Sequence, residues 1–209
     1  MRQRALIAMA VACEPALHLV KRDILTLEQG KLVAREAYQQ REFLASTDER
    51  FRPVSMTTGP DGALYVCNNG GFEWTEANGL LLPGHAPHDY SGGRIERVDL
   101  ATGAVERLYD ACGERPLKGP NDLVFDAAGG FYVTDHGKSY PRHRDLGGLY
   151  YARPDGSSIE EVMFGEVSPN GVGLSPAGDR LYVAETHTGR VYAWDVPSPG
   201  TATGAGLVA

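Results

Sequence analysis

The sequence predicts an all-β fold, a partial β-propeller of about three to four four-stranded antiparallel blades. Three observations predict it. First, one phrase recurs with a period of about 50 residues. Its copies open on Arg52-Pro-Val-Ser55, Gly119-Pro-Asn-Asp122 and Ser168-Pro-Asn-Gly171, and close on Leu64-Tyr-Val66, Phe131-Tyr-Val133 and Leu181-Tyr-Val183. Second, a glycine-, aspartate- or proline-rich turn divides each copy, as a hairpin requires: Gly59-Pro-Asp-Gly62, Asp126-Ala-Ala-Gly-Gly130 and Ser175-Pro-Ala-Gly-Asp179. Third, alternating strands follow each copy at Gly93–Asp99, Gly148–Ala152 and Gly189–Asp195. That alternation buries one face of each strand.

Taken in order, the elements divide the chain into three stretches. Within residues 1–50, Val20–Leu25, a turn at Gln29-Gly30, and Lys31–Arg35 read as a hairpin, either a partial blade or a strand segment of uncertain origin. Residues 51–196 hold the repeated blades. Fourth strands are read at Ala104–Tyr109 and Ile159–Phe164, whereas the last copy stops after its third strand at Asp195. Residues 197–209 are a low-complexity tail expected to fray. A closed propeller needs about four to eight blades. An open stack leaves an apolar face and an unpaired edge, which favours self-association.

Composition narrows the partners. The formal net charge is −7 and no basic stripe occurs, which argues against nucleic acid and anionic membrane. No apolar run approaches the roughly 20 residues of a membrane helix. Three cysteines without a Cys-x-x-Cys spacing argue against a disulfide framework or zinc ribbon. Residues 1–13 have two readings. Met1-Arg-Gln-Arg4 followed by Ala5–Ala12 has the outline of a signal segment, implying a secreted or periplasmic protein. The simpler reading is a buried strand ending at Cys13, in a cytoplasmic protein.

The topology of a blade places the chemistry. The Asn of each Pro-Asn pair precedes the innermost strand, and the second strand returns to that end at Asp135 or Glu185. Asn121, Asn170, Asp135 and Glu185 are therefore expected on one face, beneath the insertions 70–92 and 136–147, which are natural lids. Amide and carboxylate oxygens suit calcium, magnesium or manganese and tolerate zinc. A cation held there would polarise a carbonyl or activate a water. No Gly-x-Ser-x-Gly, His-Glu-x-x-His or P-loop phrase is present. Spacing alone leaves turn and ligand equally open for the two asparagines. For Asp135 and Glu185, capping of backbone N–H groups is the simpler role, and they are secondary candidates. His85, His88, Asp89, His136, His143 and His187 read as solvated loop residues.

Residues 59–196 resemble the senescence marker protein/gluconolactonase family of six-bladed, regucalcin-like propellers. Gly119–Asp126, Phe131–Gly137, Ser168–Pro176 and Leu181–Gly189 carry the resemblance. It implies hydrolysis of a sugar lactone or related ester with one divalent cation, calcium first, in the channel. It makes Asn170 a metal ligand. It sets Asn121 beside the metal as second ligand and catalytic residue, and Asn121 with Asp122 as substrate contacts. Two departures stand out. The Glu-Gly-Pro phrase that supplies a family ligand is absent, with Glu14-Pro15 a poor substitute. The later Pro-Asp-Gly phrase that supplies an aspartate is also absent, since Asp61 and Asp155 lie in outer turns.

The first 66 residues resemble quinoprotein sugar dehydrogenases of the sorbosone type, through Cys13-Glu-Pro15, Leu19–Arg22 and Arg41–Pro53. In this copy Val54-Ser55 replaces the Pro-Asn asparagine. Alternatives to a metal-dependent lactonase are therefore a non-catalytic propeller used for binding or assembly, and a dehydrogenase fragment.

Overall fold

The computed structural model describes residues 8–14, 19–48 and 50–208. The basic start of the signal reading, Met1–Arg4, lies outside the described residues. The chain divides into two compact units, Met1–Pro53 and Val54–Ala209. No helix occurs among the described residues.

In the first unit β2 (Leu19–Glu28) is central. It pairs antiparallel with β1 (Ala8–Glu14), with β3 (Lys31–Glu36) and, at Leu19↔Ala45, with the short β4 (Leu44–Ala45). The β2–β3 turn has Gln29 at φ 49° and Gly30 at φ 77°. Two successive left-handed residues give a hairpin turn whose twist matches that of the strands.

The second unit is a series of antiparallel four-stranded sheets. Its first sheet runs β5 (Pro53–Thr58) and β6 (Leu64–Asn68). An inserted hairpin of β7 (Trp74–Ala77) and β8 (Leu80–Pro83) follows, and then β9 (Arg94–Val98) and β10 (Val105–Tyr109) complete the sheet. A small hairpin, β11 (Ala111–Cys112) and β12 (Arg115–Pro116), leads to the second sheet. That sheet is β13 (Pro120–Phe125), β14 (Phe131–Asp135), β15 (Gly147–Ala152) and β16 (Ile159–Glu166). The third is β17 (Pro169–Leu174), β18 (Arg180–Glu185), β19 (Arg190–Asp195) and β20 (Thr203–Leu207). Blade architecture is therefore present in sequence order. The tail expected to fray is corrected here: Thr203–Leu207 pairs with β19. All five residues of β20 are exposed. A ladder needs only N–H and C=O groups, so this strand forms without an apolar signature.

Alternation along β14 builds two cores. Phe131 and Val133 join Tyr65, Ile95, Leu123 and Tyr150 on one side. Tyr132 joins Leu149, Tyr151, Leu181 and Trp194 on the other. Each fully buried large side chain contributes about 1.5–3 kcal/mol. The sheets also key into each other near the innermost strands. A Cβ at Gly93 would overlap Pro120, and one at Gly147 would overlap Pro169. The prolines that open β13 and β17 thus seat on a glycine of the preceding blade, which fixes the position of the asparagine beside each.

Candidate functional site

The Pro-Asn phrases fold in the same way twice. Pro120 pairs with Asp135, and the register then shifts before Leu123↔Val133. Pro169 pairs with Glu185, and the register shifts before Val172↔Val183. A bulge therefore falls on Asn121-Asp122 and again on Asn170-Gly171, lifting these residues out of the ladder and re-aiming their side chains. Both asparagines line one cavity of about 280 Å³, together with Phe72, His136, Lys138 and His187.

The hydrogen bonds differentiate the amides. Asn170 Nδ2 donates to Thr186 Oγ1 at 2.8 Å, leaving Oδ1 uncommitted. Among the described residues no protein hydrogen bond engages the Asn121 side chain. Two neutral amide oxygens fit a hard cation as part of its shell. Among the described residues, no group of three or more His, Cys, Asp or Glu is arranged to hold a metal.

The carboxylates behave differently. Asp122, expected to contact substrate, is not among the cavity-lining residues. Its Oδ1 accepts from Ser55 Oγ at 2.7 Å and from Leu123 N, and its Oδ2 accepts from Val172 N at 3.0 Å. It ties three innermost strands together, so Ser55 of the asparagine-less copy acts as a strut. Asp135 is buried. It accepts from the backbone N–H of Lys118 and Gly119 at 2.6 Å each, and from Gly137 at 2.9 Å. Burial pushes its carboxyl above the ordinary range, against the pull of those N–H groups and Lys138. Glu185 accepts from Val167 N and Thr188 Oγ1, each at 2.7 Å. Both acids therefore clamp the loop that enters the Pro-Asn phrase of their own blade. Neither lines the cavity with the asparagines.

His85, His88 and Asp89 are exposed, as expected. His143 is exposed and stacks on Tyr140 at 4.4 Å. His136, half-buried, is the correction, and the exposed His187 meets it. They come from successive blades, their ring centroids lie 5.8 Å apart, and both line the cavity. Burial holds the His136 ring down to about 4, helped by Arg144, His187 and Lys138, and lowers His187 as well. Lys138 is buried, and burial lowers its ammonium to about 8. Its Nζ donates to Gly71 O at 2.7 Å and lies 5.1 Å from the Tyr90 ring centre. With Ala86 N donating to Ser139 O at 2.8 Å, this stitches the two insertions together beside the cavity. Sequence reading passed over these residues because their meeting depends on the docking of blades, not on a repeat position.

Antiparallel sheets in series, with paired amides at repeated bulges facing a common cavity, define a propeller with a polar site beside its innermost strands. The chain belongs to the SMP-30/gluconolactonase/LRE-like family, whose model matches residues 15–209. That match includes most of the N-terminal third, where the sequence also resembled sugar dehydrogenases. The chain is 32% identical over 148 residues to "Lactonase drp35" of Staphylococcus saprophyticus, covering 71% of this chain and 39% of that protein. It is 30% identical over 199 residues to "Lactonase drp35" of Staphylococcus aureus, covering 87% of this chain and 54% of that protein. The chain thus spans about half or less of the length of these relatives. A gluconolactonase from Xanthomonas campestris superposes with a TM-score of 0.59 at 19% identity, over 95% of this chain and 61% of that chain. At that identity the likeness shows the fold alone.

Proposed function

We propose that this protein serves hydrolysis of sugar lactones or related esters at the cavity holding Asn121 and Asn170. One observation carries the reading: two bulged asparagines from successive blades meet at one cavity with amide oxygens uncommitted. The lactonase names of the relatives supply the reaction class. Asn170 and Asn121 would hold a divalent cation, calcium first, with zinc, magnesium or manganese as alternatives. Bound there, the ion would polarise the substrate carbonyl. Asn121 contacts the substrate or the attacking water. Thr186 Oγ1 engages the Asn170 Nδ2, which leaves Oδ1 available to the ion. The stitched insertions limit water around the substrate, which strengthens every polar contact inside.

The test is thermal and kinetic. Calcium at about 100 times its Kd should stabilise the protein by about 2.7 kcal/mol. Asn170→Ala should remove that shift and the hydrolysis of δ-gluconolactone, while lowering the ion-free melting temperature only slightly through the loss of the exposed Thr186 hydrogen bond. No stabilisation by any of the four ions, together with no hydrolysis above the uncatalysed rate, would overturn the reading.

A further inference from the structure

The hydrogen-bond partners of the two cavity histidines favour opposite ring tautomers. His136 Nδ1 lies 3.3 Å from Gly137 O. A carbonyl oxygen only accepts, so Nδ1 carries the proton and Nε2 keeps a free lone pair. Ser168 Oγ accepts from the backbone N–H of His187 at 2.9 Å and lies 2.8 Å from His187 Nδ1. Ser168 is fully buried, and among the described residues the acceptor within reach of its hydroxyl proton is that Nδ1. That pairing favours the His187 ring proton on Nε2. One imidazole at the cavity presents an acceptor, and the other presents a donor.

The backbone supports a purpose for Ser168. It stands at φ 56°, one of the few left-handed residues that are not glycine. The equivalent place in the preceding blade is Gly119. A serine in this conformation carries strain of order 1 kcal/mol that a glycine would avoid. What the serine supplies is the hydroxyl on His187.

We propose that His136 and His187 are a neutral acceptor–donor pair that opens the lactone ring, with His136 Nε2 taking the proton of the attacking water and His187 Nε2–H holding the carbonyl oxygen as it gains charge. The inference rests on the lactone-hydrolase reading above. The step balances. Water oxygen bonds to the carbonyl carbon as its proton passes to His136. The bond from that carbon to the ring oxygen then breaks, and the ring oxygen takes the proton back from His136. The products are the hydroxy acid and both histidines in their starting tautomers. His187 gives up no proton and acts as a neutral electrophile, which preserves its donor role. The ring centroids lie 5.8 Å apart and both residues line the cavity that Asn121 and Asn170 line. His136 stays neutral well below pH 7, so the acceptor form is the resting form. Among the described residues no carboxylate lines this cavity, and His136 Nε2 is the acceptor it offers. Ser168 is the positioning residue.

Three measurements decide it. Nitrogen-15 spectra of the imidazoles should show a protonated Nδ1 in His136 and a protonated Nε2 in His187, and the reverse tautomer in either overturns the pair. His136→Gln should lower kcat for δ-gluconolactone by about 10²-fold with KM little changed. Ser168→Gly relieves the strained backbone, so it should fold at least as well while lowering kcat and mixing the His187 tautomers. If Asn170→Ala abolishes hydrolysis while His136→Gln retains it, the pair is overturned and the hydrolase reading stands. If the unaltered chain hydrolyses nothing, the non-hydrolysable δ-gluconolactam serves as the probe. Shifts at both Nε2 positions on binding support the pair, and silence at both overturns it.

Discussion

Asn121 and Asn170 sit one strand away from Asp135 and Glu185, in the same two blades, yet the two pairs have opposite fates. The acids are the stronger ligands by chemistry, but their oxygens are taken: three backbone N–H groups on Asp135, and one N–H and one hydroxyl on Glu185. The amides are weaker ligands, but they retain unused capacity at the cavity. Residual hydrogen-bonding capacity, not residue type, separates the two pairs. The acids hold the loops still, and the asparagines are held out by the bulges that those loops enter.

The largest test of this contrast is Asp135→Asn. The change keeps the volume but replaces one acceptor oxygen with an NH₂ group facing a backbone N–H. At least one buried donor loses its partner, and Lys138 loses a neighbouring carboxylate. The expected cost is about 3 kcal/mol by urea denaturation, a fall of roughly 8 °C in melting temperature. A cost below about 0.5 kcal/mol would show that the clamp is dispensable and would return Asp135 to the list of site candidates.

A smaller effect separates Glu166, which ends β16 of the second sheet, from Glu185 of the third. Burial and the neighbouring Glu185 carboxylate push Glu166 up to about 7. Folded, it holds a proton that the unfolded chain has released by its ordinary 4.5. Its contribution is therefore complete below about pH 4.5 and is lost as pH rises through 7. Glu166→Gln should raise stability at pH 8 by about 1 kcal/mol, allowing for the solvent that reaches this side chain, and by nothing at pH 4. Equal effects at both values would mean that Glu185 carries no charge felt at Glu166.

The repeat was legible because blades reuse one backbone solution: proline on glycine, bulge, hairpin and the Leu-Tyr-Val type of strand recur with their residues. The asparagines were legible for the same reason. What escaped had no repeated side chain to announce it. β20 is Thr-Gly-Ala-Gly-Leu with every residue exposed, so only its backbone pairing makes it a strand. The β7–β8 hairpin did leave a trace in Asn78-Gly79, whose φ values of 55° and 74° match the turn that this dipeptide favours. His136 and His187 fall at non-equivalent repeat positions, directly after Asp135 and two residues after Glu185. Only blade docking brings their rings together. Asp122 misled because its neighbour Asn121 lines the cavity, while its own side chain turns along the innermost strands to Ser55 and Val172.

The smallest expected effect on stability is the sharpest test of the contrast. Asn121 makes no side-chain hydrogen bond within the protein among the described residues, and its backbone is not left-handed. Alanine therefore removes nothing the fold uses, and Asn121→Ala should change unfolding free energy by less than about 0.5 kcal/mol. The same change removes a polar contact from the cavity, so hydrolysis of δ-gluconolactone should fall by about 10²-fold. The two numbers must be read together. Asp135→Asn loses stability first and activity as a consequence, whereas Asn121→Ala loses activity from a protein that melts where it did before. If Asn121→Ala instead melts several degrees lower with activity intact, the amide is a turn residue, and spare hydrogen-bonding capacity is no guide to the site of this propeller.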